Sequence, residues 1–211
     1  MALAIVTDST SDIEPQRARA LGIAVVPLFV IWGDRSYRDY IDLSRETFYA
    51  MLRSESILPI TSQPTAKMFE EAFAPRVEAG DQILAIVISS KLSGTINAAR
   101  AAAARFPSSE ITIADSQSVA GGLGMMVLRA RERAAAGATL EQVVAEIERE
   151  RAAQRLYAIL PDLSHLVRNG RVGKARAAIG TLMKIVPVLS LDDGQIDAVA
   201  QVRTIARARE T

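Results

Sequence analysis

Three short apolar runs, residues 3–7 (LAIVT), 83–88 (ILAIVI) and 111–114 (ITIA), each give way to a cluster of short polar residues and then to a helix-like stretch. That alternation constrains the fold more than any other feature. Strands separated by helices pair in parallel, because a parallel connection must cross the sheet and a helix covers it. The spacing predicts helices over about 13–21, 66–79, 95–105 and 140–153, and one that leads from the "GGLG" stretch through Ala136. Gly22, Gly80 and Gly137 stand where such helices end. Residues 23–32 read as one further strand and 33–43 (GDRSYRDYIDL) as a polar connection. Ser44 is placed to cap a helix whose apolar face runs from Thr47 to Leu52.

The pattern changes near residue 155. Residues 156–160 read as a strand, "PDLSHLVRNGRVG" as a short helix and turn, and residues 174–182 as a small apolar helix. "KIVPVLSLDDGQIDAVAQVRT" reads as two strands about an Asp193-Gly194 hairpin turn, and "TIARARET" as the start of another helix. The expected class is therefore α/β. Residues 1–154 form a domain with a parallel sheet covered by helices, and residues 155–211 a smaller, incomplete α+β domain.

In open α/β sheets ligands bind beyond the carboxyl ends of the strands. Three polar clusters stand at such ends: Asp8 to Asp12, Ser89 to Thr95, and Asp115 to Ser118. Turns also enrich Ser and Asp, so position alone does not make them a site.

Several functions are excluded by what the chain lacks. It has no cysteine and one histidine, His165, so thiolate chemistry and a His-based metal site are not expected. The formal net charge of +1 calls for neither nucleic acid nor a membrane surface as a partner. "MALAIVTDS" turns polar too soon for a signal peptide, and no apolar run reaches the roughly 18 residues of a membrane span. A cytoplasmic protein is expected. "GGLG" at Gly121 to Gly124 misses the dinucleotide fingerprint, since Val127 stands at its third glycine. "RNGRVGKAR" is not a P-loop, since Arg168 stands at its first glycine and Ala175 follows the lysine.

What remains is donor chemistry. In "VISSKLSGT" a strand hands over to a helix through hydroxyls and Gly94. A helix start offers unpaired N–H groups and a partial positive charge, glycine permits close approach, and Ser93 and Thr95 can donate. That combination suits a carboxylate or phosphate; plain capping by Ser93 is the alternative. "ITSQPTAKMF" places Thr61 and Ser62 in a loop before a helix, with Pro64 biasing Gln63 to an extended conformation. Asp8, Ser9, Asp115 and Ser116 line the other strand ends, and Asp12 is a candidate cap. His165 could serve a serine nucleophile, Ser93 or Ser9, only by meeting it in space. No "GxSxG" elbow is present. Arg168, Arg171, Lys174, Arg176 and Arg203 present either a docking face for an acidic or phosphorylated partner or a solvated surface.

"TDSTSD", "TSQP", "ISSKLSGTINAA", "IADSQSVAGGLG", "VRNGRVGK" and the tail "IVPVLSLDDGQIDAVAQVRT" occur in that order, and together they resemble the DegV family of bacterial fatty-acid-binding proteins. The resemblance implies a long-chain fatty acid, such as palmitate, held between two domains, its carboxylate gripped by Thr61 and Ser93 near Gly94 and Thr95. It implies a carrier rather than an enzyme, with no metal and no catalytic residue. It further implies a separate ATP-binding kinase subunit that phosphorylates the bound acid, with Arg168, Arg171 and Arg203 as contacts. Members usually continue well past residue 211, and that portion supplies a histidine near the carboxylate. His165 does not stand there, which implies a more open pocket and a weaker grip. Against this stand a serine hydrolase acting on lipid esters through Ser93, and a binding module for something other than a lipid.

Overall fold

The computed structural model describes residues 2–160, 163–173 and 186–210. It divides into two compact units, Met1–Gln154 and Arg155–Thr211.

The first unit is built on a parallel sheet of β1 (Leu3–Asp8), β2 (Ala24–Val26), β6 (Gln82–Val87) and β7 (Ile111–Asp115), in the order β2-β1-β6-β7. Side chains alternate across it, as the two-residue period of a strand requires. Ile5, Leu84 and Ile86 face one core with Ile13, Ala18, Leu123, Met126 and Val143. That core is capped by α1 (Pro15–Leu21), α5 (Ala120–Ala135) and α6 (Leu140–Ala153). Ala4, Val6, Ile83, Ala85 and Val87 face the other core with Phe69, Phe73, Ile96, Ala99 and Ala102. There the cover is α3 (Ala66–Glu78) and α4 (Thr95–Ala103).

The connection after β1 runs to β2 on one side, and the connection after β6 runs to β7 on the other. The order therefore reverses between β1 and β6. Such a switch point opens a crevice at the carboxyl ends of the two strands.

Residues 23–32, read from sequence as one strand, make two. β2 stops at Val26, and β3 (Phe29–Trp32) belongs to a separate antiparallel sheet of order β4-β3-β5. Pro27 is the physical reason: it has no N–H to continue the ladder. The expected polar connection supplies β4 (Arg35–Arg38), hairpin-paired to β3 with Trp32 opposite Arg35. β5 (Ile60–Ser62) pairs on the other edge, Val30 opposite Thr61 and Phe29 opposite Ser62. Thr61 and Ser62 thus sit on an edge strand rather than in a loop. The helix α2 (Arg45–Ser54), capped by Ser44, packs Phe48, Met51 and Leu52 on Val30 and Trp32.

The second unit carries an antiparallel sheet of order β10-β9-β8, formed by β8 (Tyr157–Ile159), β9 (Val186–Asp192) and β10 (Gln195–Val202). The Asp193-Gly194 turn has positive φ at both residues (47° and 74°), the conformation a two-residue hairpin prefers. A third strand thus joins the expected hairpin. Two short helices, α7 (Ser164–Arg168) and α8 (Ile205–Glu210), complete the described part. The helix expected over 174–182, with Lys174 and Arg176, lies outside the described residues.

Candidate functional site

At the switch point one carboxylate ties the ends of β1 and β6 together. Asp8 is fully buried at the end of β1. Its Oδ2 accepts the Ile88 N–H at 2.8 Å, and its Oδ1 accepts the Thr10 N–H at 2.9 Å and the Thr10 hydroxyl at 2.5 Å. Burial pushes this carboxyl upward, while the hydrogen bonds from Thr10 and Ile88 pull it back. Asp8 is thus a brace between two strand ends. Asp12 does not cap α1: Glu14 holds that position, and Asp12 sits at φ 55° ending the 3-10 turn Ser9–Ser11.

Asp115 and Ser116 brace the next loop. Asp115 Oδ1 accepts the N–H groups of Ser90 (3.2 Å) and Gln117 (3.0 Å). Ser116 is fully buried, and its hydroxyl accepts the Ser118 N–H at 3.0 Å. The Ser118 hydroxyl donates to Gln154 Oε1 at 2.7 Å, and Gln154 Nε2 donates to the Gly122 carbonyl at 2.9 Å. Ser9 points away from this line, its Oγ accepting the Leu28 N–H at 3.0 Å and its hydroxyl bonding the Asp39 carboxylate. Sequence placed these four residues at the strand ends. The structure spends their polar groups on holding the loops in shape.

The start of α4 is different. Gly94 is its N-cap and provides no side-chain cap. Ser93 is half-buried, and its Oγ lies 2.9 Å from the hydroxyl of fully buried Thr95 and accepts the Thr95 N–H at 3.3 Å. Two hydroxyls and the first-turn backbone of a nine-residue helix therefore converge at the end of β6. An electron-rich oxygen is what such a cluster receives best.

From sequence alone the Gln63 side chain has no assigned role. Its side-chain amide packs on Gly94 so closely that a Cβ built on residue 94 would overlap it. The residues Ile60–Ser62 of β5 are thereby delivered, through the next residue, to the start of α4. The signal was present in "TSQP", an amide donor beside two hydroxyls, but only the tertiary contact gives it meaning.

Two of the three glycines of "GGLG", Gly122 and Gly124, have a packing explanation. A Cβ on Gly124 would overlap the Ser11 carbonyl oxygen, and one on Gly122 would overlap the Ser118 hydroxyl. They let α5 approach the 3-10 turn and the loop after β7.

In the second unit Arg168 ends α7, exposed, and the Arg171 guanidinium donates to the Asn169 carbonyl. Arg203 follows β10, also exposed. Gly173, at φ 50°, lies against the Ile196 carbonyl and tucks this turn onto β10. His165 lies half-buried within α7. The hydroxyl of Ser93 pairs with an alcohol, not a base, so the hydrolase reading gains nothing from the geometry. Among the described residues no group of His, Cys, Asp or Glu could hold a metal ion, and no helix is long and apolar enough to cross a membrane.

Residues 2–211 match the family model described as an uncharacterised protein of the DegV family. A DegV domain-containing protein of Deinococcus radiodurans is 40% identical over 203 residues, 96% of this chain and 72% of that protein. The fold is similar to that of a fatty-acid-binding DegV family protein from Thermus thermophilus, with a TM-score of 0.92 and 39% identity over all of this chain and 75% of the other. It is also similar to a stearic-acid-binding protein from Eubacterium ventriosum, with a TM-score of 0.90 and 26% identity over 99% of this chain and 73% of the other.

Proposed function

The chain belongs to the DegV family, and we propose that it binds a long-chain fatty acid through the polar cluster at the start of α4. Ser93, with the backbone at Gly94 and Thr95, receives the carboxylate; Thr61 and Ser62 close on it from β5. The contact of Gln63 on Gly94 carries this reading, because it joins the two hydroxyl-bearing segments. The fatty acids bound by the similar Thermus and Eubacterium proteins support it.

The energetics divide between the two ends of the ligand. Each buried methylene contributes about 0.8 kcal/mol, so about fourteen of them give a gross term near 11 kcal/mol before the costs of association. The hydroxyls contribute less and serve another purpose. They replace the hydration of a charged head and fix which end of the ligand points where. Without a neighbouring base these alcohols are weak nucleophiles, and the protein is a carrier. It presents the acid to a separate ATP-dependent kinase subunit that forms the acyl phosphate, with Arg168, Arg171 and Arg203 as docking contacts.

The test is direct. Lipid-stripped protein takes up saturated C14 to C18 acids in a titration, and Ser93→Ala or Thr61→Ala weakens uptake about tenfold each, the value of one hydrogen bond to a charged group. Protein that ignores every acid of that series refutes the carrier reading.

A further inference from the structure

A cavity lies against β2, an edge strand of the parallel sheet. It has a volume of about 200 Å³ and is walled by α1, β2 and the Asp39–Tyr40 turn. Ile13, Ala18, Val25 and Ile41 supply an apolar lining, and Asp39 and Tyr40 supply the polar one. Arg19, an exposed residue of α1, completes the wall.

The turn is built, not incidental. Tyr40 is an aromatic residue at φ 61°, a conformation that costs free energy and persists only when its surroundings hold it. Arg45 does the holding: its guanidinium donates to the Tyr40 hydroxyl at 2.6 Å, lies 5.6 Å from the ring centroid, and pairs with Glu14 at 2.8 Å. On the other side Ser9 anchors the Asp39 carboxylate. Asp39 is partly buried, and that burial, with Asp12 nearby, pushes its carboxyl upward more than the Ser9 and Tyr40 hydrogen bonds and the Arg45 charge restrain it. Arg45 thus offsets the burial of the Asp39 charge only in part, and a cation seated in the cavity would add to that compensation. Metal ions are poor occupants, since no group of ligating side chains among the described residues could hold one.

We propose that this cavity binds a compact organic amine, its ammonium against the Asp39 carboxylate and its hydrocarbon body against Ile13, Ala18, Val25 and Ile41. The size fits a single ring: apolar cavities of roughly 150 Å³ take up benzene. The site is separate from the fatty-acid reading and stands or falls without it.

Phenethylamine, 2-phenylethanol and 3-phenylpropionate are titrated into the purified chain in an amine-free phosphate buffer, followed by ligand-observed NMR and calorimetry. Phenethylamine saturates one site, and the neutral and acidic analogues bind at least about tenfold more weakly, the ratio a charge-assisted hydrogen bond gives. Asp39→Asn removes that preference. Ile41→Lys, at a residue 58% exposed and so tolerant of substitution, sets a competing cation in the wall and weakens the amine while fatty-acid uptake is unchanged. Should Asp39→Asn fail to fold, Ile41→Lys decides alone. The proposal is overturned if phenethylamine shows no saturable binding, if 2-phenylethanol binds as tightly, or if Ile41→Lys leaves the amine's affinity unchanged.

Discussion

The Asp8 carboxylate accepts the Ile88 N–H at 2.8 Å across the point where the order of the parallel sheet reverses. A switch point parts two strand ends, and here a buried side chain rejoins them. The same carboxylate holds Thr10, so one residue fixes the ends of β1 and β6 together.

Asp8→Asn tests that brace. An amide keeps the shape but turns one of two accepting oxygens into a donor facing an N–H. The expected cost is about 2–4 kcal/mol, from a buried donor left unpaired and a lost charge-assisted bond. Urea unfolding checks it; a loss under half a kcal/mol would show that Ile88 and Thr10 find other acceptors.

Gly94→Ala separates binding from stability. Gly94 has φ −76°, a conformation alanine adopts freely, so the backbone is not strained. The atoms nearest the new Cβ belong to the end of the Gln63 side chain, which is exposed and can swing away. Stability should therefore change by less than about 1 kcal/mol. Fatty-acid affinity should nonetheless fall several-fold, because the displaced amide no longer joins the segment of Thr61 to that of Ser93. Gln63→Ala should fall similarly, and the double variant no further, since both act through one contact. Additive losses in that cycle would break the link.

Much of this was readable in the sequence because it depends on local pattern. The strands β1, β6 and β7 are apolar runs with polar ends, and Asp193-Gly194 is a turn with one chemical meaning. What was not readable depends on partners far along the chain. β5 is three residues long and earns its strand only by pairing with β3, some thirty positions earlier. β4, "RSYR", carries no apolar run and exists because Gly33 turns the chain back on Trp32. Ser9 and Asp8 are neighbours of similar appearance, yet one turns to Asp39 and the other to Ile88. Only the tertiary fold distinguishes them.

Asp39 gives a pH dependence with a definite sign. Its carboxyl is raised in the folded state, chiefly by burial. The folded protein therefore holds the proton more tightly than the unfolded chain. The stability this group contributes is complete below its unfolded pKa and is lost as pH rises through its folded one. Asp39→Asn carries no such titration. The stability of the variant relative to the parent should improve steadily as pH climbs out of the acid range, in unfolding curves taken from pH 4 to 7. A difference that stays flat, or runs the other way, would mean that Arg45 and Ser9 outweigh burial.

Gly124→Ala should be the most damaging small change in α5. The residue is buried within the helix, and the atom its Cβ would meet is the carbonyl oxygen of Ser11, part of the backbone. A side chain could rotate aside; a 3-10 turn held by Asp8 cannot. Alanine favours a helix by about 1 kcal/mol over glycine, so propensity alone predicts a gain. Overpacking against rigid backbone costs about 1–3 kcal/mol or more and should win. Gly121→Ala, on the exposed side of the same helix with nothing near its Cβ, isolates the propensity term and should stabilise. Opposite signs for two Gly→Ala changes three residues apart in one helix, read by thermal unfolding, are the expected outcome. A stabilised Gly124→Ala would mean that α5 can slide on the turn, and that the strand ends beneath it are less firmly held than their hydrogen bonds indicate.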